Sequence, residues 1–373
     1  MENHQSVNGT TGTVSWSLSD GRLTVRGEGP LESNYSFKRF LGHVHTVIIE
    51  QGVTDIGSYV FSGCKSLTSV TLPKGLARIG DSAFYGCIQL APVTLPESLT
   101  HIGEYAFYKC AALTSLTIPG TVTTIRACAF SDCTGLKSLI VPKGVTGIEI
   151  WAFSDCTGLT SVSLPEGLTC IGEKAFSGCT GLTSITIPGT VTTIGDEAFS
   201  GCTGLTSVSL SEGLTRIGDS TFYKCTALTF ITVPGTVTTI GNCAFFNCTG
   251  LNSIVIPDSV TFIGYQAFAG CARLKSLTIP RNVTAIGYQT FAGCTRLNSL
   301  TIPRSVTAIG KGAFTKCDSL RDVTVRWATP PAIDDRVFRD TPCDTLHVPP
   351  HTKAIYEADS EWGKFKTIDP SCG

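Results

Sequence analysis

Apolar positions recur along this chain with a period of 23 residues. Isoleucine stands five residues before, and leucine six residues after, each of twelve equally spaced phenylalanines. A repeat of this length predicts a solenoid, in which each coil buries its apolar side against its neighbours. The phenylalanines of the repeat are Phe61, Phe84, Phe107, Phe130, Phe153, Phe176, Phe199, Phe222, Phe245, Phe268, Phe291 and Phe314.

The coil that begins at Leu159, LTSVSLPEGLTCIGEKAFSGCTG, shows how one repeat is built. Val162 and Leu164 alternate with polar residues, which predicts a short strand with one buried face. Pro165 ends this strand because proline has no N–H for the next ladder bond. A second extended piece carries Ile171 inward, and the EKAF segment is expected to form a brief helical turn. Each coil is therefore predicted to hold two extended pieces and one turn.

The pattern LxxVxLPxxLxxIGxxAFxxC resembles the BspA-like leucine-rich repeat of bacterial surface proteins. The segment from Trp16 to Pro30 is similar to the β-hairpin that opens such arrays, and Asp20-Gly21 would supply its two-residue turn. The segment from Leu346 to Ile368 is similar to their closing segment. The resemblance covers nearly the whole chain.

The repeat and the resemblance together predict a β-rich α/β solenoid. We expect a right-handed leucine-rich-repeat superhelix of about 13 coils, with a parallel β-sheet on its concave side and a cap at each end. The predicted divisions are an N-terminal β-hairpin cap over residues 1–45, a leucine-rich-repeat array over 46–326, and the last coil with a C-terminal cap over 327–373.

Seventeen cysteines would ordinarily indicate disulfides or a metal site, but twelve of them follow the repeat phenylalanines by three residues. Stacked Cβ vectors run parallel and do not converge as a disulfide requires. No CxxC pair is present, so zinc is not expected. We predict reduced thiols that act as small buried hydrophobic groups. The column comprises Cys64, Cys87, Cys110, Cys133, Cys156, Cys179, Cys202, Cys225, Cys248, Cys271, Cys294 and Cys317.

Composition excludes several classes of function. Charged residues make up 15% of the chain and the net charge is -1, which argues against nucleic-acid binding. No apolar run approaches the roughly 18 residues that membrane insertion needs. The opening residues MENHQSVNGTTGT lack the apolar core of a signal peptide, so any export signal is expected to lie outside these 373 residues.

We find no spacing typical of a catalytic site, and we expect no enzyme activity and no cofactor. His43-x-His45 is interpreted as polar residues at the cap junction in preference to a metal site.

The outward positions of the predicted concave sheet are rich in serine and threonine and almost free of charge. Solvated strands favour such residues without any function. They also offer a flat hydrogen-bonding surface for a protein or a glycan. Phe230 and Val255 interrupt this surface, and Phe230 is the preferred single anchor for a partner.

Residues 257–330 carry nine lysines and arginines against three aspartates. Arg273 and Arg296 are one period apart, as are Arg281 and Arg304, so each pair is expected to stack. The first pair would lie just before the concave strands and the second just after their prolines. An anionic partner, such as a sulfated glycan or an acidic protein surface, would relieve the repulsion within each pair. The alternative is duplication of solvated arginines, because the coils over 265–287 and 288–310 are nearly identical.

Aromatic residues also gather at the AF turn. Trp151 stands two residues before Phe153, where other coils carry small or polar residues, and it is expected to be partly exposed. Pairs one period apart, such as Tyr85 with Tyr108, are expected to stack. They would form either an adhesive edge or an ordinary cover for the rim of the coil.

The resemblance implies a monomeric, extracellular or cell-surface protein that mediates adhesion through protein–protein interaction. Its implied partners are host extracellular-matrix proteins or other surface proteins, with no nucleic acid and no membrane insertion. Two alternatives remain open at this point. One is capture of a sulfated or acidic glycan by the concave sheet and its arginine pairs, and the other is a structural spacer.

Overall fold

The structure is a computed structural model that describes residues 6–33 and 37–371. The chain divides into two compact units, residues 1–190 and 191–373. Each unit is a stack of coils in which equivalent residues of successive coils lie beside one another. The repeat therefore acts as a structural register, and the predicted fold class, a leucine-rich-repeat β-solenoid with parallel sheets, is confirmed.

One set of parallel strands, called here the first ladder, forms from the LxxVxL part of the repeat. Its buried residues alternate with exposed serine and threonine, as the pattern predicts. In the unit of residues 1–190 the strands are Thr46–Ile49, Ser69–Thr71, Leu116–Thr117, Ser138–Ile140, Ser161–Ser163 and Ser184–Thr186. In the unit of residues 191–373 they are Ser207–Ser209, Phe230–Thr232, Ser253–Val255, Ser276–Thr278, Ser299–Ile302, Asp322–Val325, Thr345–His347 and Thr367–Asp369.

A second set of parallel strands, the second ladder, forms from the TxIG part of the repeat. Within a sheet, the inward isoleucines of successive coils pair in register, as Ile125 does with Ile148 and Ile286 with Ile309. In residues 1–190 the strands are Gly29–Leu31, Val53–Ile56, Arg78–Ile79, His101–Ile102, Thr124–Ile125, Gly147–Ile148 and Cys170–Ile171. In residues 191–373 they are Thr193–Ile194, Arg216–Ile217, Thr239–Ile240, Phe262–Ile263, Ala285–Ile286 and Ala308–Ile309.

The N-terminal strands Val7–Thr11, Val14–Ser19 and Arg22–Gly27 form an antiparallel meander. The predicted hairpin turn at Asp20-Gly21 is confirmed, and both turn residues have positive φ angles (50° and 67°). The strand Arg22–Gly27 then pairs in parallel with Thr46–Ile49 and so begins the first ladder. The helices are short: 3₁₀ segments at Lys38–His43 and Trp362–Lys364, and an α-helix at Lys353–Glu357.

Pro92 interrupts the first ladder. Residues 91–95 occupy the strand position of their coil, yet they form no strand. Proline has no N–H to donate and is excluded from a central strand for that reason. The sheet that contains Ser69–Thr71 therefore ends there, and another begins at Leu116–Thr117.

The AF turn is not helical, so the prediction of a brief helical turn is wrong. The residues two before and two after the phenylalanine take positive φ angles, as Lys174 (53°) and Gly178 (71°) do around Phe176. This alternation turns every second N–H toward the following coil. The N–H groups of Trp151, Phe153 and Asp155 donate to carbonyls of the next coil at 2.7–2.9 Å. A helix would have satisfied these groups within its own coil.

The repeat phenylalanines form the centre of the core. Rings one period apart stack almost parallel, with centroids 5.2 Å apart for Phe84 and Phe107 and 5.5 Å apart for Phe268 and Phe291. All four side chains are fully buried. Burying a phenylalanine stabilises a fold by about 1.5–3 kcal/mol, so the column is a main source of stability in each unit.

The cysteine column consists of buried free thiols in the described residues. Most of these thiols also donate a hydrogen bond that the sequence pattern does not predict. The Cys133 Sγ lies 3.2 Å from the carbonyl oxygen of Phe107, and Cys294 makes the same contact with Phe268 at 3.3 Å. Burial raises the pKa of Cys110 to about 12 and that of Cys133 well above its usual value. These thiols therefore stay protonated and donate to the turn.

Candidate binding sites

Phe230 and Val255 lie on the outward side of the first ladder in the unit of residues 191–373. Their exposed fractions are 47% and 54%. Phe230 pairs in register with Ser253, and Thr232 pairs with Val255, so the two apolar side chains are diagonal neighbours on adjacent strands. The outward positions of these strands thus place an apolar pair among hydroxyl groups.

Ile140 is a third apolar residue on a first-ladder surface, and it is absent from the sites predicted from sequence. Its side chain is 71% exposed, between Thr117 and Ser163 of the adjacent strands. The signal was present in the sequence, because Ile140 replaces the threonine or serine of its column. It lies in the unit of residues 1–190.

Arg281 and Arg304 line one groove at the ends of first-ladder strands, together with Arg326 and Asn282. The groove has a volume of about 970 Å³. Arg281 Nε donates to Asp258 Oδ2 at 2.6 Å, and Arg281 holds the pKa of that carboxyl below its usual value. The repulsion expected within the pair is therefore already reduced by Asp258. Arg304 forms no ion pair with any described residue.

Arg273 and Arg296 stand on the other side of the same strands, just before Ser276 and Ser299. The in-register pairing of those serines confirms that the two coils align residue by residue. Both arginines are exposed, but neither lines the groove of Arg281 and Arg304. The two arginine pairs thus lie at opposite ends of these strands.

Trp151 is partly buried, and it lies beside a second groove in the unit of residues 1–190. The groove has a volume of about 480 Å³. The Lys174 ammonium lies 4.6 Å from the centre of the Trp151 ring, within the range of a cation–π contact. The lining residues are Glu104, Tyr105, Tyr108, Ala127, Cys128, Ser131, Asp132, Ile150, Trp151 and Asp155.

The aromatic rings of this groove form a connected cluster. Tyr108 stacks on Tyr85 with centroids 4.9 Å apart, which confirms that predicted pair, and meets Tyr105 edge-on at 5.7 Å. The Lys109 ammonium lies 5.1 Å from the Tyr108 ring. Burial, followed by a hydrogen bond with Asp132, raises the pKa of Tyr108. The cluster is therefore neutral at its rings and partly open to solvent.

The groove coincides with a break in the repeat. In most coils the second ladder ends at a glycine packed against the preceding coil; a Cβ at Gly103 would lie only 2.5 Å from the backbone N of Asp81, and one at Gly172 would lie 2.7 Å from the backbone of Glu149. Arg126 and Glu149 occupy this glycine position in two successive coils. Their side chains need room that the regular corner does not provide.

Arg126 and Glu149 compensate each other electrostatically. The guanidinium donates to Glu104 Oε1 at 2.8 Å through Nη2, and its Nε lies 3.4 Å from Glu149 Oε2. The same Glu149 oxygen accepts the Ala127 N–H at 2.9 Å. The two residues that replace the corner glycines thus form an ion pair with each other.

The described residues contain no group of three or more side chains suited to holding a metal ion. His45 packs against Gly21, where an added Cβ would lie 2.0 Å from the imidazole ring. His4 lies outside the described residues.

The two ladders and the stacked phenylalanine and cysteine columns define a leucine-rich-repeat solenoid. The chain belongs to the BspA type leucine-rich repeat family, whose model matches residues 33–157, 124–252 and 244–358. No helix in the described residues is long and apolar enough to cross a membrane. Comparison with the curated proteins finds no significant match.

Among solved structures, a leucine-rich repeat protein from Bacteroides ovatus is 27% identical with a TM-score of 0.70, and the match covers 85% of this chain and 94% of that one. A leucine rich cell surface protein from Faecalibacterium prausnitzii is 30% identical over 86% of this chain and 94% of its own, with a TM-score of 0.49. The pneumococcal vaccine antigen PcpA is 16% identical over 97% and 98%, with a TM-score of 0.52.

Proposed function

We propose that this chain is a non-enzymatic binding protein of the bacterial surface or secreted fraction, and that it mediates adhesion by protein–protein contact. Membership of the BspA type family supports this class. The observation that carries the proposal is the exposed pair of Phe230 and Val255 within a hydroxyl-rich, uncharged ladder surface. Large aromatic side chains that a partner can desolvate dominate the energy of many protein interfaces.

Binding of the whole chain to a panel of immobilised extracellular-matrix proteins tests the proposal. Phe230→Ser combined with Val255→Thr gives the pair the residue types of its neighbours and should weaken saturable binding roughly tenfold. Phe262→Thr is the matched control, because Phe262 is 48% exposed but lies on the second ladder. If the double variant and the control bind the matrix protein with equal affinity, Phe230 and Val255 do not anchor the partner. Absence of saturable binding to the whole panel would favour a structural spacer.

A second candidate function is binding of a sulfated or acidic glycan at the groove of Arg281, Arg304 and Arg326. The supporting observation is that three guanidinium-bearing residues line one groove. Such binding should appear as heparin retention that falls steeply with salt, since exposed ionic contacts are screened. Arg281→Ser with Arg304→Ser should abolish the retention, whereas Arg273→Ser with Arg296→Ser should reduce it only slightly. Retention that survives the first double variant would exclude this groove.

A further inference from the structure

We infer that the groove of Tyr105, Tyr108 and Trp151 is a second and independent binding site, specific for a neutral glycan. Nothing in the proposed adhesion surface requires this groove. It lies in the unit of residues 1–190, whereas Phe230 and the arginine groove lie in residues 191–373. Its volume of about 480 Å³ falls in the usual range for sites that bind small ligands.

The aromatic residues supply stacking surfaces. Tyr105 is exposed and Trp151 is partly exposed, and no regular core position requires either of them. The face of an aromatic ring carries partial negative charge and attracts the weakly positive C–H groups of a pyranose ring. Polar groups lie next to these faces, because Asp132, Asp155 and Ser131 line the same groove.

The charged groups in and around the groove already have contacts within the protein, and those of Asp132 and Asp155 are with neutral hydroxyl groups. Glu104 and Glu149 hold Arg126, Asp155 accepts a hydrogen bond from Ser154 at 2.9 Å, and Lys174 lies beside Glu173 at 3.4 Å. Lys109 and Lys174 each lie over one face of a ring, so a cationic ligand would meet like charge there. An anionic ligand would be repelled by the carboxylates of Glu104, Asp132 and Asp155, whereas a neutral polyhydroxyl ligand can donate hydrogen bonds to the remaining lone pairs of those carboxylates.

The break in the repeat supports a dedicated site. Arg126 and Glu149 replace two successive corner glycines at this groove, and Trp151 stands two residues after Glu149 with a φ angle of 58°. Ser82 and Ser220 occupy the Trp151 position in other coils with nearly the same φ angle (54° and 52°). The backbone thus accepts a serine there, and the tryptophan is not needed to form the turn.

Intrinsic fluorescence reports directly on this groove. Of the four tryptophans, Trp16, Trp327 and Trp362 are buried, so Trp151 is the one open to a ligand. The probes are neutral glucan, mannan and galactan oligosaccharides, with heparin as the anionic comparison. A saturable change in tryptophan emission is expected with at least one neutral probe, at an affinity that stays the same between low and high salt.

Isothermal titration of variants completes the test, since it does not depend on the tryptophan signal. Trp151→Ser and Tyr105→Ser should each lower the affinity for the neutral probe about tenfold. Tyr59→Ser is the matched control, because Tyr59 stands at the same position of its coil, with a φ angle of 62°, but does not line the groove. Circular dichroism should show all three variants folded.

Three outcomes would overturn the inference. They are failure of every neutral probe to bind, binding that persists in the double variant of Trp151 and Tyr105, and preference of the groove for a lysine-rich peptide over the sugars. Failure here leaves the adhesion surface of Phe230 untouched, because that surface is tested with different ligands and different variants.

Discussion

Two stretches of the array depart from the repeat in opposite ways. Arg126 and Glu149 replace glycine at the corner where successive coils pack. Beside them lies the groove of Tyr105, Tyr108 and Trp151, called here the Tyr–Trp groove, where the surface is locally concave and aromatic. The coils over 265–310 keep their corner glycines, and they differ from the consensus mainly in exposed arginines. The first stretch places a cavity beside an altered corner, whereas the second adds charge beside unaltered corners. A repeat protein can thus gain a binding site by either route.

The largest expected effect concerns the core, which is built in the same way in both stretches. Phe130→Ala and Phe268→Ala should each lower the free energy of unfolding by about 3–5 kcal/mol, because both rings are fully buried in the stack. Urea denaturation followed by circular dichroism measures this loss. A much smaller loss for Phe130→Ala would show that the altered corner loosens the core as well.

A corner substitution should separate the two stretches. Gly264→Ala places a Cβ 2.5 Å from the backbone N of Asn242 and should destabilise the protein by about 1–3 kcal/mol. Arg126 occupies the equivalent position of its own coil. Arg126→Ala breaks only partly exposed ion pairs, so it should lower the free energy of unfolding by about 1 kcal/mol or less. The same urea experiment compares them. Equal losses would mean that the corner is not open at Arg126.

The positive charge available to a ligand in the coils over 265–310 should change even when no arginine is substituted. Asp258→Asn releases Arg281 and should raise heparin affinity about twofold to fivefold, as measured by titration at fixed salt. Asp344→Asn is the control, because Asp344 pairs with Arg321 and Lys366 outside the groove. If Asp258→Asn leaves the heparin affinity unchanged, Arg281 does not contribute to heparin binding.

The Asp258–Arg281 pair also fixes a pH dependence. The pKa of Asp258 is lowered in the folded protein, so the contribution of the pair to stability is complete above the ordinary carboxyl value of 3.8 and is lost as the pH falls through the lower folded value. Heparin affinity should therefore not rise between pH 7 and pH 5 on account of Asp258. A rise in that range that is absent in Asp258→Asn would contradict the assignment.

The smallest expected effect is on the reactivity of the buried cysteine thiols, which should be equally low in both stretches. Burial raises the pKa of Cys133 and Cys271 alike, so neither should react with iodoacetamide at pH 8 in the native protein. Cys170 and Cys243 are less buried and should be modified first among the described cysteines. Peptide mass mapping after timed labelling measures the order. Early labelling of Cys133 alone would reveal local opening beside the Tyr–Trp groove.

The sequence predicts the fold well because every coil repeats the same inward residues. It predicts the conformation of the AF turn poorly, since the positive φ angles at Lys174 and Gly178 depend on hydrogen bonds to the next coil. Trp151 stands out in the sequence as a break in its column. The groove beside it does not, because residues of three successive coils, between Glu104 and Asp155, line it, and their approach is a property of the folded chain.

The hydrogen bonds of the AF turns also have an electrical consequence. In residues 191–373 alternate N–H groups of each turn, such as those of Ser220, Phe222 and Lys224, donate toward the following coil. Their peptide dipoles therefore add along the stack, as they do along a helix, and leave partial positive charge at its C-terminal end. The last turn receives bonds from Phe314 and Lys316 and is flanked by Asp334, Asp335 and Asp340. The turns behave as an aligned column of dipoles whose positive pole lies at the closing coil, where Asp334 and Asp335 also pair with Arg336.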